Sequence, residues 1–281
     1  MERLSINNFS KYYEGFDAEN ISFSVNAGSI VGLIGENGAG KSTVIKSILG
    51  LVHADGGEIL LDGQPVCSLD AKQRQQIAFV TDNTNLPVEI TPVMLQKVLS
   101  EIFYTWDGDK YFRLVRQMEL PEKIQIKKFS KGMKMKLAIA CALCRDSRLL
   151  VLDEPTGGLD PVVINEILNM LYDYNGSGDR AVLISSHITT DLEKICDYIV
   201  YLHKGRVALA AEKDDMLEQF AVYGMDNTHI DEIDKSAVVR IIKRDYGADV
   251  MAYKQKMPKN FLCRRATLDD IMLFFSKGEE I

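Results

Sequence analysis

The stretch Ile30-Val31-Gly32-Leu33-Ile34-Gly35-Glu36-Asn37-Gly38-Ala39-Gly40-Lys41-Ser42-Thr43 decides the fold. Its first five residues are an apolar run that reads as a buried strand. The run after it, Val44-Ile45-Lys46-Ser47-Ile48-Leu49, reads as a helix. Between them, residues 35–42 match G-x-x-x-x-G-K-[ST], in the strand–loop–helix setting that gives this pattern its meaning. Glycines let the backbone curl so that successive N–H groups face phosphate oxygens, and the helix start adds the positive end of its dipole. Gly35, Glu36, Asn37, Gly38, Ala39, Gly40, Lys41, Ser42 and Thr43 are therefore candidate nucleotide-binding residues. Lys41 is expected to reach the β- and γ-phosphates, and the Ser42 hydroxyl to sit on Mg²⁺.

Two further apolar runs end in chemistry. Leu149-Leu150-Val151-Leu152 leads directly into Asp153-Glu154, and Ala181-Val182-Leu183-Ile184-Ser185 leads into Ser186 and His187. Strands apolar on both faces belong to a parallel sheet covered by helices on both sides. Side chains at the C-terminal ends of such strands emerge where ligands bind. Beside a phosphate loop, Asp153 is expected to hold Mg²⁺ through water and Glu154 to activate the attacking water.

Elsewhere the chain alternates between sheet and helix signals. Residues 4–9 and 21–25 alternate apolar and polar as half-buried strands, with Lys11-Tyr12-Tyr13-Glu14-Gly15 between them as a turn; a tyrosine there either stacks on an adenine or is a partly exposed turn residue. Residues 58–63 and 76–80 read as further strands. From Thr91 to about Arg145 the spacing is helical, with Pro121 as punctuation and Trp106 as a packing anchor. Ser130 is placed to cap the helix that follows it. A helix over 162–171, a turn at 175–178 and a strand over 198–202 follow. Beyond about residue 210 the motifs stop, leaving helix-like 213–220, strand-like pieces near 238–242, 250–253 and 261–264, and a last helix over 268–276.

The chain has 281 residues, 46% hydrophobic and 26% charged, with a formal net charge of −7. This is ordinary globular composition. The acidic balance argues against nucleic-acid binding through a broad basic surface. No run approaches the roughly 18 apolar residues of a membrane span. The start, Met1-Glu2-Arg3-Leu4, has no apolar signal core, so a cytosolic location is expected. Five scattered cysteines read as reduced thiols, and Cys141-Ala142-Leu143-Cys144 reads as helix core rather than a metal or redox motif.

Over about residues 2–210 the chain resembles the ATP-binding subunits of ABC transporters. Phe129-Ser130-Lys131-Gly132-Met133 stands where that family has its signature, Asp153-Glu154-Pro155-Thr156 matches its Walker B segment, Gly158-Leu159-Asp160 its D-loop and His187 its switch histidine, all in the family's order. The resemblance implies an α/β P-loop NTPase. Its RecA-like parallel-sheet core carries an antiparallel β subdomain and a helical subdomain at about 83–147. Residues 1–210 would be the ATPase domain and 211–281 a small α+β accessory domain. It implies an ATPase binding ATP and Mg²⁺, with Glu154 and His187 catalytic and Ser42 and Asp153 at the metal. Two subunits, identical or different, would sandwich two ATP molecules. Ser130 and Gly132 would contact the γ-phosphate held by the opposite subunit, and Asp160 would be a further nucleotide-binding residue. Tyr13 is the implied adenine stack, with Tyr12 the alternative.

Two departures stand out. Lys131 and Met133 replace a glycine and a glutamine of the signature, a form similar to exporters of the bacitracin-resistance and ABC-2 type. Thr81-Asp82-Asn83 stands where the family has its Q-loop glutamine, which makes Asp82 a shorter, charged candidate metal ligand. The implied partners are a separate integral-membrane permease, gripped by the helical block, and a second ATPase subunit. The implied place is the cytoplasmic face of the membrane, and the implied task is export of a peptide, antibiotic or other amphipathic compound. A soluble ABC ATPase acting on ribosomes or DNA is the other reading.

Overall fold

A computed structural model describes residues 1–176, 178–226, 233–258 and 261–279. At its centre lies a six-stranded sheet built from β3 (Ile30–Gly35), β6 (Ile77–Thr81), β7 (Leu149–Asp153), β8 (Ala181–Ser186), β9 (Tyr198–His203) and β10 (Arg206–Glu212), in the order β10-β9-β3-β8-β7-β6. All neighbours are parallel except the β9–β10 hairpin.

The apolar runs are continuous because each face of the sheet has its own core, and the side-chain period of two divides the residues between them. Ile30, Ile34, Leu150, Leu152, Val182 and Ile184 pack into one core. Val31, Leu33, Leu149, Val151, Ala181 and Leu183 pack into the other. On the second face lie helix α1 (Lys41–Ile48) and a four-stranded antiparallel sheet, β2-β1-β4-β5, formed by β1 (Glu2–Tyr13), β2 (Phe16–Asn26), β4 (Gly56–Leu61) and β5 (Gln64–Pro65). The expected turn at 11–15 is shorter than its sequence suggests. Tyr12 and Tyr13 pair with Asp17 and Phe16, so β1 runs to Tyr13 and only Glu14-Gly15 turns. After β5, the short helix α2 (Ala71–Arg74) leads to β6.

The helical block is α3 (Pro92–Ile102), α4 (Gly108–Gln117) and α5 (Lys131–Leu143), each opened by a side-chain cap: Thr91, Asp107 and Ser130 accept from the backbone N–H three residues on. Trp106 packs between Phe103 and Tyr111. Cys141 lies within α5 and Cys144 caps its end; burial pushes the Cys144 thiol up to about 12. Then come α6 (Pro161–Asn175), α7 (Thr189–Ile195) and α8 (Lys213–Gln219). Of the expected turn at 175–178, Ser177 lies outside the described residues.

The C-terminal part is a second four-stranded antiparallel sheet, β12-β13-β11-β14, from β11 (Phe220–Met225), β12 (Val238–Arg244), β13 (Gly247–Tyr253) and β14 (Cys263–Arg265), closed by α9 (Leu268–Lys277). The chain position 210 falls inside β10. Phe220, Val222, Met251, Leu268, Ile271 and Phe274 belong to the same core as the central sheet, while Ala221, Tyr223 and Val250 face a small core of their own.

Candidate active site

Strand register brings the chemistry to one edge. Thr81 pairs with Asp153, Asp153 with Ser185 and Ile34 with Ser186, so β3, β6, β7 and β8 end side by side. The loop after β3 turns into α1 at Gly40, whose φ of 107° is one that L side chains rarely adopt. A Cβ there would also lie 3.1 Å from the Phe16 ring. No side chain caps α1, so its first N–H groups are left for an anion. The Lys41 ammonium donates to Gly35 O at 2.6 Å and Glu36 O at 3.4 Å, and lies 3.7 Å from Glu154 Oε1. Ser42 is exposed beside it.

Glu154 is held from several directions. Its backbone adopts a φ of 52°, in the left-handed region that costs a non-glycine residue energy and that functional sites retain. Its Oε2 lies 2.6 Å from His187 Nδ1 and accepts the His187 backbone N–H at 3.2 Å. With the proton on Nδ1 the imidazole donates to the carboxylate and leaves Nε2 for a ligand. Ser185, fully buried, ties the strand ends together. Its hydroxyl donates to Asp153 Oδ1 at 2.6 Å and accepts the Glu154 N–H at 3.1 Å. Nothing in the run Ala181-Val182-Leu183-Ile184-Ser185 marks this role, because it arises from the β7–β8 register.

A second cluster forms around the start of α5. Ser130 Oγ accepts from Met133 N at 3.2 Å, and Asp160 Oδ1 accepts from Val162 N and Val163 N at 3.2 and 3.1 Å. A Cβ on Gly132 would touch Val163 at 3.4 Å. Lys131, the departure from the family signature, donates from its ammonium to Gly157 O at 2.5 Å and so links this cluster to the loop after Glu154.

Asp82 is exposed one residue beyond β6, and its Oδ1 accepts the Asn83 N–H at 2.6 Å, turned onto its own backbone. Tyr13 is 42% and Tyr12 52% exposed, and the Lys11 ammonium lies 5.7 Å from the centre of the Tyr13 ring. A cleft of about 450 Å³ opens at the loop itself, lined by Phe16, Glu36, Asn37, Gly38, Lys204 and Arg206 among others. Glu36 has partners the sequence did not announce. His203 Nδ1 lies 2.7 Å from Oε1, and Ser276 Oγ donates to Oε2 at 2.8 Å. No group of three or more His, Cys, Asp or Glu side chains among the described residues forms a metal cage.

The ABC transporter family model matches residues 18–157. The chain is 32% identical over 235 residues to the ABC-type transporter ATP-binding protein EcsA of Bacillus subtilis (strain 168), covering 82% of this chain and 92% of that one. The chain belongs to the ATP-binding proteins of ABC transporters. As a member of this family it is a P-loop ATPase that binds and hydrolyses ATP, and the α/β architecture agrees. The lantibiotic transport ATP-binding protein SrtF of Streptococcus pyogenes is 32% identical over 214 residues, covering 75% of this ABC protein and 91% of itself. A solved ATP-binding subunit of an ABC transporter is 33% identical, with a TM-score of 0.70 over 77% of this chain and 92% of that chain. A dimeric ATP-binding cassette solved with ADP and Pi shares the fold, at 24% identity and a TM-score of 0.67 over 74% of this chain and 98% of that one. Among the described residues, no helix is long and apolar enough to cross a membrane.

Proposed function

We propose that this ABC protein dimerises around two ATP molecules and drives a separate membrane permease from the cytoplasmic face, exporting a peptide, antibiotic or other amphipathic compound. The observation that carries the hydrolytic reading is the Glu154 carboxylate held between the Lys41 ammonium and the His187 ring. In this reading Lys41 and the loop 35–43 bind the triphosphate. Glu154 takes the proton of the attacking water, and His187 orients that carboxylate while its Nε2 meets the γ-phosphate. Ser130, Gly132 and Asp160 close the site of the opposite subunit, and Tyr13 stacks on the adenine.

The Ser42 hydroxyl and the Asp153 carboxylate are hard oxygen donors, the kind Mg²⁺ takes while keeping several waters, so the residues present fit that ion. Bound there, it would neutralise charge on the β- and γ-phosphates. Ser185 then serves by fixing Asp153 and the Glu154 backbone to each other. Asp82, bound to the next residue's N–H, is the weakest member of the metal set.

Support for transport comes from the helical block. Its side of the molecule carries a cavity of about 330 Å³ lined by Phe79, Leu86, Leu95, Leu99, Phe103 and Cys141 among others. An apolar socket of this kind fits a short helix of a permease. Tyr111 and Val115 of α4 are fully buried in the core, so β6 and α5 supply the wall that faces α3. Support for export comes from the lantibiotic transport protein of Streptococcus pyogenes and from a similar Nod factor export protein of Burkholderia lata. The test is purification from detergent-solubilised membranes. A multi-span membrane protein retained with the wild type is expected. Its consistent absence would favour the soluble ABC ATPase.

A further inference from the structure

The C-terminal part has no motif of its own, yet its last helix reaches the phosphate loop. Helix α9 is fixed at its start by a capping box, in which Thr267 and Asp270 satisfy each other's backbone N–H groups. Next to the cap, the Leu268 N–H donates to Glu193 Oε1 at 2.7 Å, and the Thr189 hydroxyl donates to Asp269. Both partners lie on α7, which begins two residues after His187. Leu268, Ile271 and Phe274 are buried. Phe275 meets the Tyr201 ring edge-on at 5.7 Å and has the Arg240 guanidinium over its own ring, 5.2 Å from the centre. The helix is therefore held along its length before its last turn delivers Ser276.

Ser276 donates to Glu36 Oε2 at 2.8 Å across 240 residues of sequence. The other carboxylate oxygen lies 2.7 Å from His203 Nδ1, a buried atom that makes no hydrogen bond. The His203 ring in turn stacks on Tyr201 at 6.3 Å. Burial, and after it the Glu36 charge, pushes the Tyr201 hydroxyl up to about 12. Glu36 sits inside the loop that must receive a triphosphate. A carboxylate free to swing there widens the range of loop shapes; one tied at Oε2 by Ser276 narrows it.

We propose that Ser276 is a positioning residue for ATP binding: from the last turn of α9 it holds Glu36 against His203 and so keeps the phosphate loop in its receptive shape. The C-terminal unit thereby acts on nucleotide affinity. The inference rests on reading residues 35–43 as the ATP site.

The test compares ATP binding and steady-state phosphate release for the wild type, Ser276→Ala, Ser276→Thr, Glu36→Ala and the double variant Glu36→Ala/Ser276→Ala. Loss of one hydrogen bond to a carboxylate at an exposed site should raise the KM and Kd for ATP about 3- to 10-fold in Ser276→Ala, with kcat within about 2-fold. Ser276→Thr, which keeps the hydroxyl, should restore the wild-type KM. In the Glu36→Ala background the same serine change should have no further effect, because the partner is gone. A KM unchanged in Ser276→Ala, an equal rise in both backgrounds, or failure of threonine to restore binding would overturn the role of Ser276. Failure of the wild type itself to bind ATP would instead overturn the reading of the loop, and this inference with it.

Discussion

At the scale of single residues, position and not charge separates the lysine, the carboxylates and the serine. Lys41 meets two loop carbonyls and Glu154, so it shapes the loop. Lys41→Ala should weaken ATP binding by at least about 10-fold, readable by equilibrium titration. Ser185→Ala makes a different prediction. The change removes a buried hydroxyl that holds Asp153 and the Glu154 N–H together. It should lower kcat by about 10- to 100-fold, the equivalent of about 1.5–3 kcal/mol for a hydrogen bond to a charged group, with a smaller effect on ATP affinity. Equal loss of binding and turnover would mean that Ser185 serves only the fold. The Asp153-Glu154 pair was legible in the sequence because two carboxylates end a fully apolar run. Ser185 was not, since its role depends on which strands become neighbours.

At the scale of elements, local signals and long-range contacts divide the molecule. Ser130 caps α5 as its sequence chemistry predicts, while the caps Thr91 and Asp107 emerge only in the structure. Strand β11, central in its sheet, follows α8 directly with no turn residue between them, so no punctuation marked it. Helix α9 carries an acid-sensitive latch. Burial works to raise the Asp270 carboxyl, but the hydrogen bonds from Arg264 and Thr267 outweigh it and hold the group below its usual range. A depressed folded value means that its stabilisation is complete above the unfolded carboxylate value, about 3.9, and is lost as pH falls through the folded one. Asp270→Asn should therefore be destabilising near neutrality and should flatten the decline in melting temperature below about pH 4. Thr267→Ala should cost about 1 kcal/mol by removal of the cap. Phe79 is 49% exposed on the wall of the helical-block cavity. Phe79→Glu should release the subunit from detergent-solubilised membrane complexes while leaving ATP binding within about 2-fold. Retention at wild-type levels would remove that cavity from the permease contact.

At the scale of the whole molecule, a sheet with two cores carries the phosphate loop, the two carboxylates and the histidine to one edge, while the C-terminal unit shares a core with that sheet. The family order of motifs is legible in the sequence because each motif is contiguous. The coupling of Glu36 to Ser276 was not, because it joins residues 240 apart. In the proposed function Glu154 is the base of an ATPase that closes on ATP together with a second ATPase subunit. The most direct measurement is phosphate release by Glu154→Gln alongside the wild type, with ATP binding and molecular mass by light scattering measured on the same samples. Turnover reduced by at least about 10²-fold, with ATP affinity retained and an ATP-dependent dimer, is the predicted result. Near wild-type turnover in that variant would contradict it.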